Sequence, residues 1–305
     1  MLIESSHQRI TYLKIFWENT IPNIQKYEYE SDTVTKETLI GNSLSYQVIS
    51  PIQKLCINYG EALENKKFPN CQKYALNGKR CASCTKDENI FAAQFHNVHT
   101  RESQLTSTKI LKQMQQPNLL YLAAFYDGSI KVGTSSSSRI ETRLLEQGAI
   151  CASVLVETPD GITIRVLEDL ITDELGVSQA ISTKKKIDGL LNPVEKKTVL
   201  AKLEIMAGKA QQSIESSGIK DFEKINTIWE NNYAYEKCWQ RIQKYPNSLA
   251  IGSHDFRVVS LIGRVAALTH SSGMTLLADL DEILGLALEI GEFSGDELSV
   301  QEKLF

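Results

Sequence analysis

Four of the six cysteines, Cys56, Cys71, Cys81 and Cys84, follow one another with the spacing C-x14-C-x9-C-x2-C. Four thiolates about 2.3 Å from one ion make the closed tetrahedral shell of a structural zinc site, and "CASC" supplies a tight knuckle for two of them. The other two spacings are less regular, so four unrelated core thiols remain the competing reading. His96 and His99 follow closely and are candidates to replace one cysteine as a ligand. Cys151, inside an expected strand, and Cys238, beside Trp239, read as core residues rather than nucleophiles. A second set begins in "NLLYLAAFYDGSIKVGTSSSSRIETRLLEQGA", which runs from Asn118 to Ala149. Tyr121, Lys131 and Gly133 fall on two successive strand-like runs, Arg139 and Arg143 share one helix face, and Glu168 lies on a later helix. A tyrosine or activated water as base, arginines to hold phosphate oxygens and one carboxylate for a divalent cation form a set able to cleave a phosphodiester. Each residue also has a plain reading: Tyr121 as a core aromatic, Lys131 as a solvated charge, Arg143 as the partner of Glu146, and Glu168 as an exposed helix carboxylate.

The elements that must position these groups are legible in outline. "LLYLAAFY" is a buried-strand candidate, "DGS" a hairpin turn in which Gly128 takes positive φ, and "IKVGT" the returning strand. The serine run 135–138 is a loop, a helix follows from Arg139 to about Gln147, and Gly148 stops it. "ICASVLVE" gives a third strand. In "ITIRVLEDLITDELG", Ile164, Leu167, Ile171 and Leu175 recur at helical spacing and Gly176 ends the helix. After Pro193, Val199, Leu203, Met206 and Ala210 form the stripe of a longer helix.

Around this central unit the composition changes. Residues 1–50 read as a β-rich segment on "ITYLKIFW" and "LSYQVIS"; 51–116 as the zinc module and a polar connector with one short helix; 117–217 as the central domain; 218–305 as a helical bridge and a small C-terminal β domain, a barrel or sheet that the N-terminal strands complete. The fold class is therefore α+β.

Hydrophobic residues make up 42% and charged residues 23% of the 305, which excludes a disordered chain. No apolar run reaches the length of a membrane span, and the N-terminus lacks a basic region followed by an apolar core. A cytoplasmic location without membrane partners is expected, a setting in which disulfides are rare. The net charge of −4 argues against a strongly non-specific polyanion binder and leaves room for a local basic groove.

"YLAAFYDGSIKVGTS" followed by "RLLEQGA" resembles the GIY-YIG nuclease superfamily, closest to members whose second motif reads K-[IV]-G. The resemblance places Tyr121, Gly133, Arg143 and Glu168 on the functional positions of that family, with Mg²⁺ or Mn²⁺ held by Glu168. Gln147 falls where a histidine is frequent, and with Thr134 it is assigned to substrate contact. Lys131 stands where the nucleases usually have a second tyrosine, and "YLAAF" replaces a literal G-I-Y. Over about residues 50–205, the cysteine segment, the hairpin and "RVLEDLITDELG" together resemble the bacterial domain-of-unknown-function family 2797. These likenesses imply a metal-dependent endonuclease acting on DNA or RNA, with Arg143 and auxiliary Arg139 on phosphate, Lys131 on a phosphate oxygen and Tyr121 on the attacking water. Two further readings stand beside it: a non-cleaving, zinc-containing nucleic-acid-binding adaptor, and a domain repurposed for a small polar substrate.

Overall fold

The computed structural model describes residues 8–58, 71, 73–75, 78–96, 112 and 114–294, without the side chains of 51–53, 91 and 93–96. The segment expected as a polar connector and His99 fall largely or wholly outside these residues, as does the His96 side chain. The chain forms two units, one from Met1–Glu88 with Glu236–Phe305 and one from Asn89–Tyr235.

The first unit is built on a ten-stranded sheet. From the N-terminal part come β1 (Gln8–Glu18), β2 (Ile21–Glu28), β3 (Thr33–Thr38), β4 (Ser43–Leu55) and the short β5 (Tyr74–Ala75). From the C-terminal part come β10 (Gln243–Lys244), β11 (Ser253–Ile262), β12 (Val265–His270), β13 (Thr275–Asp279) and β14 (Leu286–Ile290). Their order is β10-β13-β12-β11-β4-β14-β1-β2-β3, with β5 beside β4. The last strand, β14, lies between β4 and β1, so the N- and C-terminal β segments share one sheet. Strand periodicity explains the pairing face: in β11 His254, Phe256, Val258 and Ser260 are buried while Arg257 and Val259 are exposed.

An aromatic cluster of Tyr46, Tyr245, His254 and Phe256 fills part of this core. His254 is wholly buried yet satisfied, with Tyr245 Oη 3.0 Å from Nδ1 and the Ile251 carbonyl 2.9 Å from Nε2. A carbonyl only accepts, so Nε2 carries the proton and Nδ1 accepts from the tyrosine. This is a core histidine.

The second unit carries a four-stranded antiparallel sheet of order β7-β6-β8-β9, from β6 (Asn118–Ala124), β7 (Ile130–Ser136), β8 (Cys151–Thr158) and β9 (Glu223–Glu230). Every residue of β6 is buried, which is why "NLLYLAA" reads as an unbroken apolar run rather than an alternating one. One face gathers Leu119, Tyr121, Ala123 and Phe125 with Leu144, Ala152 and Val154. Burial of each such large side chain contributes about 1.5–3 kcal/mol.

Five helices occur among the described residues: α1 (Ala82–His96), α2 (Ile140–Gln147), α3 (Thr163–Leu175), α4 (Thr183–Leu191) and α5 (Lys196–Ser216). Helices α3 and α5 pack on each other and against β6 and β8, burying Leu167, Ile171, Val199 and Leu203. Gly148 at φ +72° ends α2, a conformation that an L side chain adopts only with strain.

One element differs from expectation. The segment 219–247, expected as a helical bridge, instead holds β9, which completes the central sheet by pairing with β8. Its signal is the alternation of Ile225 and Trp229, packed on the core, with exposed Ile228; a bulge between Val154 and Val156 obscures the period. The lysine run 184–186 opens α4 behind Ser182, whose hydroxyl accepts from the Lys185 N–H at 3.3 Å. No helix among the described residues is long and apolar enough to cross a membrane.

Candidate functional sites: a cysteine centre and a polar face of the central sheet

The cysteine centre is assembled by backbone pairing in the first unit. Cys56 leaves the end of β4 and donates its N–H to the Lys73 carbonyl at 3.0 Å. The Ile57 N–H reaches the Lys79 carbonyl at 2.9 Å, and the Cys71 N–H reaches that of Asn58 at 3.1 Å. Cys81 precedes α1, its carbonyl accepting from the Thr85 N–H at 2.9 Å, and Cys84 lies on the first turn. All four side chains are buried, and their sulfurs lie within 4.8 Å of one another, with Cys71 and Cys81 3.5 Å apart. A tetrahedral zinc with 2.3 Å bonds requires sulfurs about 3.8 Å apart, so the four residues fit such an ion. All six cysteines are free thiols.

The electrostatics suit ligation. The Cys84 backbone N–H, pointing at Cys81, is the chief reason why the Cys81 thiol falls to about 7, against the opposing effect of burial. Burial pushes the Cys71 and Cys84 thiols up, an effect that a bound cation would reverse.

In the second unit, the hairpin register sets Tyr121 opposite Gly133 and Ala123 opposite Lys131. A β-carbon on Gly133 would lie 2.6 Å from the Tyr121 hydroxyl oxygen and 2.8 Å from its Cζ, so the phenol lies across bare backbone. Gln147, at the end of α2, donates its Nε2–H to that hydroxyl at 2.8 Å. Arg143, one turn earlier and exposed, reaches the same oxygen. Burial pushes the Tyr121 phenol up, while Arg143 and then Gln147 pull the other way by favouring the phenolate.

Lys131 is 8% exposed and not a solvated charge. Its ammonium donates to the Gln179 carbonyl at 3.1 Å. The strand edge there is covered by the chain beyond α3: the Val132 N–H bonds to the Ser178 carbonyl at 3.0 Å, and the Gln179 amide is tied to Asp169 at 2.8 Å. Burial first, and then Arg143, lowers the Lys131 ammonium to about 8, with Lys186 and Arg165 acting in the same direction and Glu168 opposing. Glu168, expected as an exposed carboxylate, is buried instead, with Arg165 Nη1 2.5 Å from its Oε2.

The fold therefore brings Tyr121, Lys131, Gly133, Arg143, Gln147 and Glu168 into one neighbourhood. Two assigned residues stand apart. Thr134 follows Gly133 in the pleat and projects from the opposite face. Arg139, in a short 3-10 turn, pairs with Glu146 at 3.3 Å on the surface, and it is this arginine, not Arg143, that holds that carboxylate.

Arg165 and Lys186 escape a reading of the sequence. Arg165 sits three residues before Glu168 and was legible only as an ordinary helix pair. Lys186 lies inside a charge run, but its ammonium donates to the Gln147 carbonyl at 2.7 Å and lies 5.0 Å from the centre of the Phe125 ring. One atom of this neighbourhood is left over: Gln147 Oε1 is buried without a hydrogen-bond partner among the described residues.

A family model described as "Protein of unknown function (DUF2797)" matches residues 41–251. Among curated proteins, the chain is similar to "Malpinin synthetase" of Mortierella alpina, at 25% identity over 210 residues, 60% of this chain. The match spans 3% of that much longer protein. No solved structure matches.

Proposed function

The chain belongs to the DUF2797 family, and we propose that its central domain is a GIY-YIG-like phosphodiesterase acting on DNA or RNA, with the four cysteines holding a structural zinc. One observation carries the reading: a tyrosine, a lysine, an arginine and a glutamate from four different elements meet around Gly133, midway along one hairpin. Among the groups that act electrostatically on Lys131, the cations Arg143, Arg165 and Lys186 outnumber the carboxylate of Glu168, so the neighbourhood favours an anionic ligand.

Arg143 is exposed and donor-rich, suited to hold two oxygens of a phosphate and to stabilise the charge that grows on them in the transition state. Lys131 supplies a fixed positive charge on the buried side of the same pocket. Tyr121, held by Gln147 against Gly133, orients the attacking water as a neutral phenol. Glu168 is the carboxylate of this set that would hold a divalent cation, one that keeps most of its water and takes the rest of its ligands from phosphate. Bound there, Mg²⁺ or Mn²⁺ would act as a Lewis acid on the phosphoryl oxygens.

The test is incubation of the purified protein with labelled DNA and RNA in Mg²⁺ or Mn²⁺, beside Glu168→Ala and Arg143→Ala. Cleavage by the wild type that both variants lose, while circular dichroism stays native, supports the reading; no cleavage of either nucleic acid refutes it. A second reading, a site that binds nucleic-acid phosphates without cutting, draws on the Arg165 ion pair, since an arginine already neutralising Glu168 competes with a metal. Salt-sensitive binding with no cleavage in any divalent metal would select it.

A further inference from the structure

The loops that carry the four cysteines also carry an unusual concentration of positive charge for a chain of net charge −4. Lys79 and Arg80 immediately precede Cys81, and Lys54 lies two residues before Cys56. Arg264, from the turn between β11 and β12, completes the group: Arg264, Lys54 and Arg80 all lie within electrostatic reach of Lys79. Three carboxylates face them. Asp281 pairs with both Lys79 and Arg264, the latter at 2.6 Å, and Asp279 lies close by with Glu282 beside it. Four cations against three carboxylates leave a net positive charge on this part of the first unit.

Three observations point to a ligand. Arg80 Nε is buried without a hydrogen-bond partner among the described residues, a guanidinium donor left unused. Arg264 keeps 46% of its side chain exposed despite its ion pair. Tyr74, on the strand paired with the end of β4, exposes 49% of its surface, so an aromatic face is offered on the same unit. Arginine forks match phosphate oxygens, and exposed rings stack on bases.

We infer that the cysteine-centre loops form a docking surface for the phosphate backbone of a nucleic acid, carried by Lys54, Lys79, Arg80 and Arg264. The metal fixes this surface rather than contacting the ligand: the Lys79 carbonyl is hydrogen-bonded to Ile57 between two ligand cysteines, so ligation orders the two cations that precede Cys81. The inference concerns a different unit from the proposed cleavage site and does not depend on cleavage.

Binding of a labelled duplex by the zinc-loaded full chain, followed by fluorescence anisotropy between 50 and 200 mM salt, tests it. Four phosphate contacts give a logarithmic salt slope of about −3.6 and a loss of affinity of about 10²-fold across that range. Lys79→Gln/Arg80→Gln should flatten the slope by about 1.8, leaving about a tenfold loss, and Lys54→Gln/Arg264→Gln should do the same from the end of β4 and the β11–β12 turn. Lys36→Gln, an exposed lysine elsewhere in this unit, should leave the slope unchanged. Zinc content and circular dichroism qualify each variant. Absence of salt-sensitive binding, an unchanged slope in both double variants, or equally strong competition by polyglutamate overturns the surface. If Arg143→Ala alone flattens the slope, the docking surface falls and the central site keeps its binding role. If the double variants flatten it and the wild type cuts nothing, the surface stands and the cleavage reading falls.

Discussion

Gly133→Ala gives a direct test of how the central site is held. Its new β-carbon would start 2.6 Å from the Tyr121 hydroxyl oxygen and 2.8 Å from Cζ, whereas ordinary contact begins near 3.4 Å. The ring must move by about 0.8 Å, or the strands must part. Movement of that size uses up the tolerance of the 2.8 Å bond from Gln147, since a donor about 3.6 Å away no longer bonds. Overpacking costs about 1–3 kcal/mol and the lost bond about 1 kcal/mol, so a destabilisation of about 2–4 kcal/mol is expected. Urea unfolding measures the loss, and nucleic-acid cleavage should fall with it. The partner experiment is a double-mutant cycle: with Tyr121→Leu the obstructing oxygen and Cζ are gone, so Gly133→Ala should cost much less there. Gly133→Ala within about 0.5 kcal/mol of wild type, or a cost equal in both backgrounds, would refute the claim that the glycine exists to seat the phenol.

Lys131→Met should stabilise the protein at neutral pH. Because the folded ammonium is lowered to about 8 from an ordinary 10.5, the unfolded chain binds more protons between those values, and wild-type stability rises with pH through that window. The advantage of the variant should therefore be about 3 kcal/mol at pH 7 at most and shrink towards pH 10, as read from urea midpoints. Arg165→Ala leaves Glu168 buried without its cation and should cost about 3–5 kcal/mol, while Arg139→Ala, which breaks an exposed pair, should stay within about 0.5 kcal/mol by the same measurement. Chelation should release about one zinc per chain and lower the thermal midpoint, and Cys84→Ser should arrive metal-poor and already destabilised, with metal analysis and calorimetry as the checks.

Much of the central unit was readable because its signals are local. The run at 118–124, Gly128, and the stops at Gly148 and Gly176 each follow from a few neighbouring residues. The four cysteines announce themselves by type alone. What stayed hidden depends on residues far apart in the chain. Glu168 is buried only because α3 packs on the hairpin, and Lys131 is buried only because residues 178–180 return to cover its strand. β9 escapes notice because a bulge breaks its period and because its partner lies far earlier in the chain, from 66 residues for Glu157 with Glu223 to 79 for Cys151 with Glu230. The likeness that suggested a nuclease rests on a hairpin and one helix, and the structure adds the two cations, Arg165 and Lys186, that such a short pattern omits.

The place of β14 in the first sheet has a consequence for biosynthesis. Gln8 pairs with Ile290, so a ribosome adding about 5–20 residues per second takes on the order of 15–55 s between making one partner and the other. Until β14 is made, β1 and β4 lack the strand that joins them, whereas the described strands of the second unit, encoded in one unbroken stretch, are complete by Glu230. The waiting edges of β1 and β4 are where a nascent chain would recruit a chaperone or pair with a neighbour on the same message. Truncation before β14 should therefore yield aggregates of the first unit around a folded second one.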